Sequence, residues 1–463
     1  MSILAEQIET VRTTSTLGIT GRVTSATGMT VQVAGLPVPV GSLCEVAVGS
    51  GRKIVAEAIG FRQNTTLLMP LYGEKGLTKG QRVRHVTSSQ KVPVGPTLLG
   101  RVVDGMGVAC DEGAPISADT YYPLHRPAPD AVCRPRIDRP MSVGVRSINA
   151  FLTAGSGQRL GIFAGTGVGK SVLLGMMARY TAADVAVVAL VGERGREVAE
   201  FITKDLGPEG LKRSVLVVST SDQSPPLRVR ACFVATAIAE YFRDRGADVL
   251  LLMDSVTRMA MAGRQIGLAA GEPPATKGYP PSVFATLPKL LERSGRTEAG
   301  SITGLYNVLV EGDDLNEPIA DAVRGTLDGH VWLSRRLANR GHYPAVDVLE
   351  SISRVMPDVV DAQQMEAAQR AKRLLSVWAE IEDLVSIGAY ASGSSAEYDL
   401  AIQMRPAIEE FMRQPIDKGV GFNESRDALL ALSADIDKAE AAIRKASKRG
   451  ETAESAEKMK TRQ

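Results

Sequence analysis

Aromatic residues are scarce in this chain: nine Phe, ten Tyr and two Trp make up 5% of 463 residues. A surface that binds single-stranded nucleic acid by stacking bases needs such rings, so their scarcity points away from that class. An excess of charge of one sign is also missing. Lys and Arg number 54 against 52 Asp and Glu, for a net charge of +2, which gives no global reason to expect a polyanionic partner. The four cysteines, Cys44, Cys110, Cys133 and Cys232, show no CxxC spacing; neither a zinc site nor a disulfide framework is indicated, and reduced thiols are expected. No apolar run approaches the about 20 residues of a membrane span. The longest, such as VAVVALV at 185–191, reads as a buried parallel strand. The first residues, MSILAEQIETVRTT, lack the apolar core and small-residue cleavage site of a signal peptide, so a cytoplasmic protein is expected.

Glycine, in contrast, is concentrated where it has a use. The stretch QRLGIFAGTGVGKSVLLGMMARY, 158–180, reads as a strand, a glycine-rich turn and a helix. This is the pattern of a phosphate-binding loop: Gly165, Gly167 and Gly169 let successive backbone N–H groups converge on a phosphate chain at a helix N-terminus. The loop runs Ala164, Gly165, Thr166, Gly167, Val168, Gly169, Lys170, Ser171, with Val172 opening the helix. The Lys170 ammonium is placed to reach the β- and γ-phosphates, and the Ser171 hydroxyl to ligate Mg²⁺. Ala164 stands where the GxxxxGK[ST] pattern has its first glycine. A turn that binds nothing would carry glycine too, but not the strand, the GVGKS string and the apolar helix together.

A chain this long exceeds one compact core, and about 150 residues per domain suggests roughly three. Residues 1–20 carry Ile3, Leu4, Ile8 and Val11 at helical spacing and form either a docking helix or a frayed end. Residues 21–92 hold short β-rich runs broken by glycine, the texture of a small closed barrel; Phe61 and Tyr72 are the aromatics it offers. A proline-rich passage, YYPLHRPAPDAVCRPRIDRP, reads as an ordered connector. The span 93–365 then alternates strand and helix, which implies a parallel sheet with helices on both faces and ligands at the carboxyl ends of its strands. Residues 366–434 are helical by periodicity, and the charged tail 435–463 begins as a solvated helix and ends disordered.

Two carboxylates follow buried strands. Asp254 closes ADVLLLMD, where it suits a Walker-B acid holding Mg²⁺ beside Ser171; its bland alternative is a cap for the next helix. Glu193, in VALVGERGRE, emerges on the same rim and suits the orientation of an attacking water. An ion-pair cluster with Arg194, Arg196 and Glu197 explains it equally well.

The strings GERGRE, EYFRDRGADVLLLMDSVTR and GHYPAVDVLESISR, with the P-loop before them, make the chain resemble the catalytic subunits of rotary ATP synthases from about residue 20 to 415. Within that superfamily, GLAAGEPPATKGYPPSVFATLPKLLER, SITGLYNVLVEGDD, PIADAVRGTLDGH and DLVSIGAYASGSSAEYDLAI resemble the type III protein export ATPases, flagellar and injectisome. The helical region lacks the acidic DELSEED-type segment of the synthase subunit. The resemblance implies an α/β fold, a P-loop RecA-like parallel sheet with an N-terminal β-barrel and a C-terminal helical domain. It implies Mg²⁺-dependent ATP hydrolysis by a homohexamer that prepares proteins for export. Glu193 falls on the catalytic glutamate, Arg194 on a γ-phosphate contact, Asp254 on the Walker-B aspartate and Arg258 on a phosphate-side arginine. Tyr343 matches the aromatic packed against adenine, and Arg354 the finger that reaches a neighbour's nucleotide. Implied partners are a regulator or stator at residues 1–20, a central stalk, export substrates with their chaperones, and a membrane export gate against which the cytoplasmic ring sits peripherally; no nucleic acid is expected. A rotary synthase or proton-pump subunit would share the site but copurify with a rotor. An RNA-translocating ring helicase would need base-stacking rings in its barrel.

Overall fold

The structure, a computed structural model, describes residues 18–310, 312, 314 and 317–460, the side chains of 50 and 447–460 excepted. The helical reading of the first residues lies outside them.

Six strands, β1 (Thr20–Thr27), β2 (Thr30–Ala34), β3 (Leu43–Ala47), β4 (Lys53–Arg62), β5 (Thr65–Pro70) and β6 (Arg82–Thr87), close into an antiparallel barrel in the order β1-β2-β5-β4-β3-β6. Period-two alternation sets its inside: Val31 and Val33, Ile54, Ala56 and Ala58 point inward while their neighbours face out. The barrel stops at Thr87. Lys91 and Val92, which the sequence texture assigns to it, belong instead to a strand, Lys91–Val94, that pairs with Thr120–Pro123. The proline-rich connector is tied down behind that ribbon: Arg134 donates to the carbonyls of Pro129, Glu292 and Ser294.

The central sheet holds β7 (Val102–Val103), β8 (Arg159–Ala164), β9 (Val185–Val191), β10 (Ser214–Ser219), β11 (Asp248–Asp254), β12 (Ser301–Leu309), β13 (Gly329–Leu333) and β14 (Val346–Ser353). Their order is β14-β13-β8-β12-β11-β9-β10-β7, parallel except for β14, which runs antiparallel to β13; off this path the two-residue strand Gly295–Arg296 pairs antiparallel with β12. All seven residues of β9 are buried because both faces are covered. Ala186, Val188 and Leu190 join the core shared by α1 (Arg146–Phe151) and the P-loop helix α2 (Lys170–Tyr180), while Val187, Ala189 and Val191 join the core beneath α3 (Pro225–Arg243). Each fully buried Val or Leu side chain adds about 1.5–3 kcal/mol. A continuous apolar run is therefore what a doubly covered strand requires.

The C-terminal region packs three helices, α4 (Ala362–Ser386), α5 (Ala396–Met412) and α6 (Phe422–Lys460). Asp361 and Ser395 cap the first two by accepting from the backbone N–H groups of Gln364 and Tyr398. Leu374 and Val377 meet Leu400, Met404, Ile408, Leu429 and Leu432 in one core that continues into the sheet's. Helix α6 runs unbroken through residue 435, where the sequence texture changes. Ile436 is fully buried and Ala439 nearly so, so packing carries the helix past the point at which composition turns solvated.

Candidate active site

Ala164 is fully buried and in register with Leu309 and Leu333 on the two flanking strands. It is still strand, so the missing first glycine removes no conformation the loop needs. The turn follows in Gly165–Gly169. Gly167 and Gly169 take φ of 77° and 84°, the left-handed region that a Cβ disfavours. A Cβ on Gly169 would also lie 3.2 Å from the Tyr343 ring. Val168 is buried and anchors the loop to the core, Thr166 offers its carbonyl to Arg335 Nη1 at 3.1 Å, and Ser171 is exposed on the first turn of α2. The unpaired amides of that turn face an incoming anion.

Four charged groups converge beside the loop. Lys170 Nζ lies 2.9 Å from Asp254 Oδ1 and 3.9 Å from Glu193 Oε1, and Glu193 Oε1 lies 3.7 Å from Arg258 Nε. Gly192 makes room for Arg258, since a Cβ there would sit 2.9 Å from the Arg258 Cβ. Asp254 is not a helix cap. The helix Val256–Ala270 is capped by Ser255, whose hydroxyl accepts from the Arg258 N–H. Nor does Glu193 join the surface cluster of its own loop through an ion pair: Arg194 is 81% exposed and sits 3.5 Å from Glu197. Burial pushes the Glu193 carboxyl up to about 7; the Asp254 charge adds to this, Lys170 and Arg258 oppose it, and a hydrogen bond with Glu197 raises it further.

Glu193 Oε1, Arg258 Nε and Asn307 Oδ1 are buried without a hydrogen-bond partner. Buried polar atoms left unpaired together mark where a polar ligand completes the network. Among the described residues no group of three or more His, Cys, Asp or Glu is arranged to hold a metal. One carboxylate, Asp254, with the Ser171 hydroxyl fits Mg²⁺, which takes few protein ligands and shares phosphate oxygens and water.

An apolar cleft of about 460 Å³ opens next to the loop, lined by Gly169, Val172, Met176, Tyr343, Gln414 and Ile416 among others. Tyr343 is 44% exposed there. Gln414 is held by its N–H to the Tyr343 carbonyl and by Nε2 to the Gly144 carbonyl, at 3.1 and 2.8 Å. Sequence reasoning missed Gln414 and Ile416, since nothing local in FMRQPIDKG marks them. It also missed Asn307, for which a buried amide inside an apolar strand is a signal.

Two expected site residues stay away from this cavity. The Arg194 guanidinium points to Glu197. Arg354 is exposed at the far end of the sheet: Leu333, beside Ala164, pairs with Val346, whereas Ser353 pairs with Gly329. About 13 Å of strand separates Ser353, the residue before Arg354, from the P-loop end.

Comparison with known proteins assigns the three regions of the chain to one family. Residues 23–86 match the ATP synthase alpha/beta family, beta-barrel domain, and residues 144–353 the nucleotide-binding domain of the same family. Residues 360–431 match the T3SS EscN ATPase C-terminal domain. The flagellum-specific ATP synthase of Pseudomonas aeruginosa is 53% identical over 90% of this chain and 93% of its own length. The chain belongs to the flagellar and type III secretion ATPases. Among solved members of this family, the assembled ATPase EscN of enteropathogenic E. coli superposes with a TM-score of 0.85 at 42% identity, covering 89% of this chain and all of that one. EscN in complex with its central stalk EscO gives 0.83 at 41%, with the same coverage. Membership in this ATPase family makes the enzyme an ATP hydrolase, with its nucleotide-binding domain over residues 144–353.

Proposed function

We propose that this ATPase works as a homohexameric ring that uses Mg²⁺-dependent ATP hydrolysis to prepare proteins for export, flagellar in the first instance and type III secretion in the second. The observation that carries the reading is the buried cluster at the P-loop, in which Lys170, Asp254, Glu193 and Arg258 meet with three polar atoms unpaired. In it Glu193 orients and deprotonates the attacking water. Lys170 and the loop amides hold the β- and γ-phosphates, and Tyr343 packs against the base. Ser171 and Asp254 would hold Mg²⁺, which supplies charge neutralisation at the phosphates. Arg258 and Arg194 stand on the γ-phosphate side, the latter after turning from Glu197.

The placement of Arg354 supports the ring. A finger at the opposite end of its own sheet serves a nucleotide on a neighbouring subunit, and EscN, with a comparable fold, is known in an assembled form and with a central stalk. A stalk, a regulator or stator at residues 1–20, and chaperone-bound substrates delivered to a membrane export gate are the partners this reading implies. Among the described residues no helix is long and apolar enough to cross a membrane, so contact with the gate would be peripheral.

The test is a chromosomal Glu193→Gln substitution, followed by measuring export of flagellar rod and hook proteins and of any injectisome substrates. Loss of flagellar export at normal protein level is expected. Undiminished export through both systems would refute the reading.

A further inference from the structure

We propose that Asn307 is the positioning residue of Asp254, fixing which carboxylate oxygen faces the cation. The inference rests on the reading of Asp254 as the Mg²⁺ residue. Asn307 sits on β12, the strand between the P-loop strand β8 and β11, and is fully buried. Its Nδ2 donates to Asp254 Oδ1 at 2.6 Å, the same oxygen that Lys170 Nζ approaches at 2.9 Å. The orientation of the amide is forced, because its carbonyl oxygen cannot face a carboxylate oxygen. Two donors thus converge on Oδ1 from different elements, while Oδ2 has no hydrogen-bond partner among the described residues. The carboxylate is pinned by one oxygen and presents the other.

A purely architectural role does not account for this side chain. A buried amide in an apolar strand is tolerated when both ends are bonded, yet Asn307 Oδ1 has no partner. An apolar residue would fill the space without that cost. What the amide adds is a second donor that keeps Asp254 from following the Lys170 ammonium when Lys170 turns to a phosphate. Such outer groups orient the ligand that touches the metal.

The test compares Asn307→Thr with Asn307→Val, two strand-compatible side chains of the same shape that differ in one hydroxyl donor. Thermal melting first confirms that both fold. Binding of fluorescent ADP is then titrated in excess chelator and at increasing Mg²⁺, with Asp254→Ala alongside. Without Mg²⁺ the two Asn307 variants bind like wild type. The Mg²⁺ needed for half of the metal-dependent gain in affinity rises about tenfold in Asn307→Val and stays near wild type in Asn307→Thr. Equal Mg²⁺ dependence in the two variants, at the wild-type value or both weakened, overturns the proposal. If Asp254→Ala also keeps the wild-type Mg²⁺ dependence, it is the cation reading of Asp254 that fails.

Discussion

Lys170 Nζ lies 2.9 Å from Asp254 Oδ1, so the one ammonium of the cradle is shared between the carboxylate rim and whatever phosphate enters. Removing it deprives the phosphates of a charge and leaves Asp254 and Glu193 facing each other without a common cation. Lys170→Ala is expected to abolish turnover, and wild-type turnover to require Mg²⁺. Phosphate release with the metal and in excess chelator checks both statements; wild-type rates in chelator would contradict the second.

In the proposed role Glu193 would act as a base only when ionised, and its carboxyl is pushed up to about 7 by burial. The wild-type kcat/KM profile should therefore fall on the acid side of about pH 7, since this parameter reports groups of the free enzyme. Glu193→Gln keeps nucleotide binding but loses about 10²-fold or more in kcat. Stability moves the other way. A carboxyl raised above its unfolded value binds its proton better when folded, so the fold loses stability as pH rises from about 4.5 to 7. Glu193→Gln should melt higher than wild type at pH 8, by at most about 3 kcal/mol, and alike at pH 4. Matching melting curves at pH 8 would show that the carboxyl is not raised.

Tyr343 is the half-exposed ring that lies against Gly169 over the apolar cleft. Tyr343→Ala should raise KM for ATP about tenfold, roughly 1.4 kcal/mol of lost contact, with kcat changed little, because the base does not react. Tyr343→Phe keeps the ring and should behave as wild type. A fall in kcat alone would place Tyr343 with the chemistry instead of the base.

Arg354 and Lys170 belong to opposite ends of one sheet, so their defects should complement across subunits. Arg354→Ala should bind ATP and lose about 10³- to 10⁵-fold in rate, while Lys170→Ala loses the cradle and keeps its finger. Mixed rings of the two dead variants create interfaces with an intact loop facing an intact finger, and part of the activity returns. Each variant mixed with wild type is the control. No hydrolysis in confirmed mixed rings, with active controls, would show that Arg354 does not act on a neighbour.

Local chemistry made the P-loop and the two carboxylates legible before any fold was known. A left-handed turn needs glycine, a helix N-terminus follows it, and Asp254 and Glu193 come directly after runs apolar enough to be doubly covered strands. The same periodicity located the barrel and the helical end, though not their limits. Lys91 and Val92 left the barrel because their strand pairs with Thr120–Pro123, elsewhere in the chain. Helix α6 outran its apolar composition because Ile436 had a core to enter.

Motif strings by themselves thus determined the ATPase activity and the family, because both are written in contiguous residues whose spacing is set by the backbone. Strand order decided the rest. Asn307 meets Asp254 only because β12 is inserted between β8 and β11, and Gln414 reaches Tyr343 only because the helical region folds back over the loop. Arg354 is directed away from its own P-loop by the antiparallel turn of β14. Those contacts join residues far apart in the chain, and their energies exist only once the sheet has brought them within hydrogen-bond range.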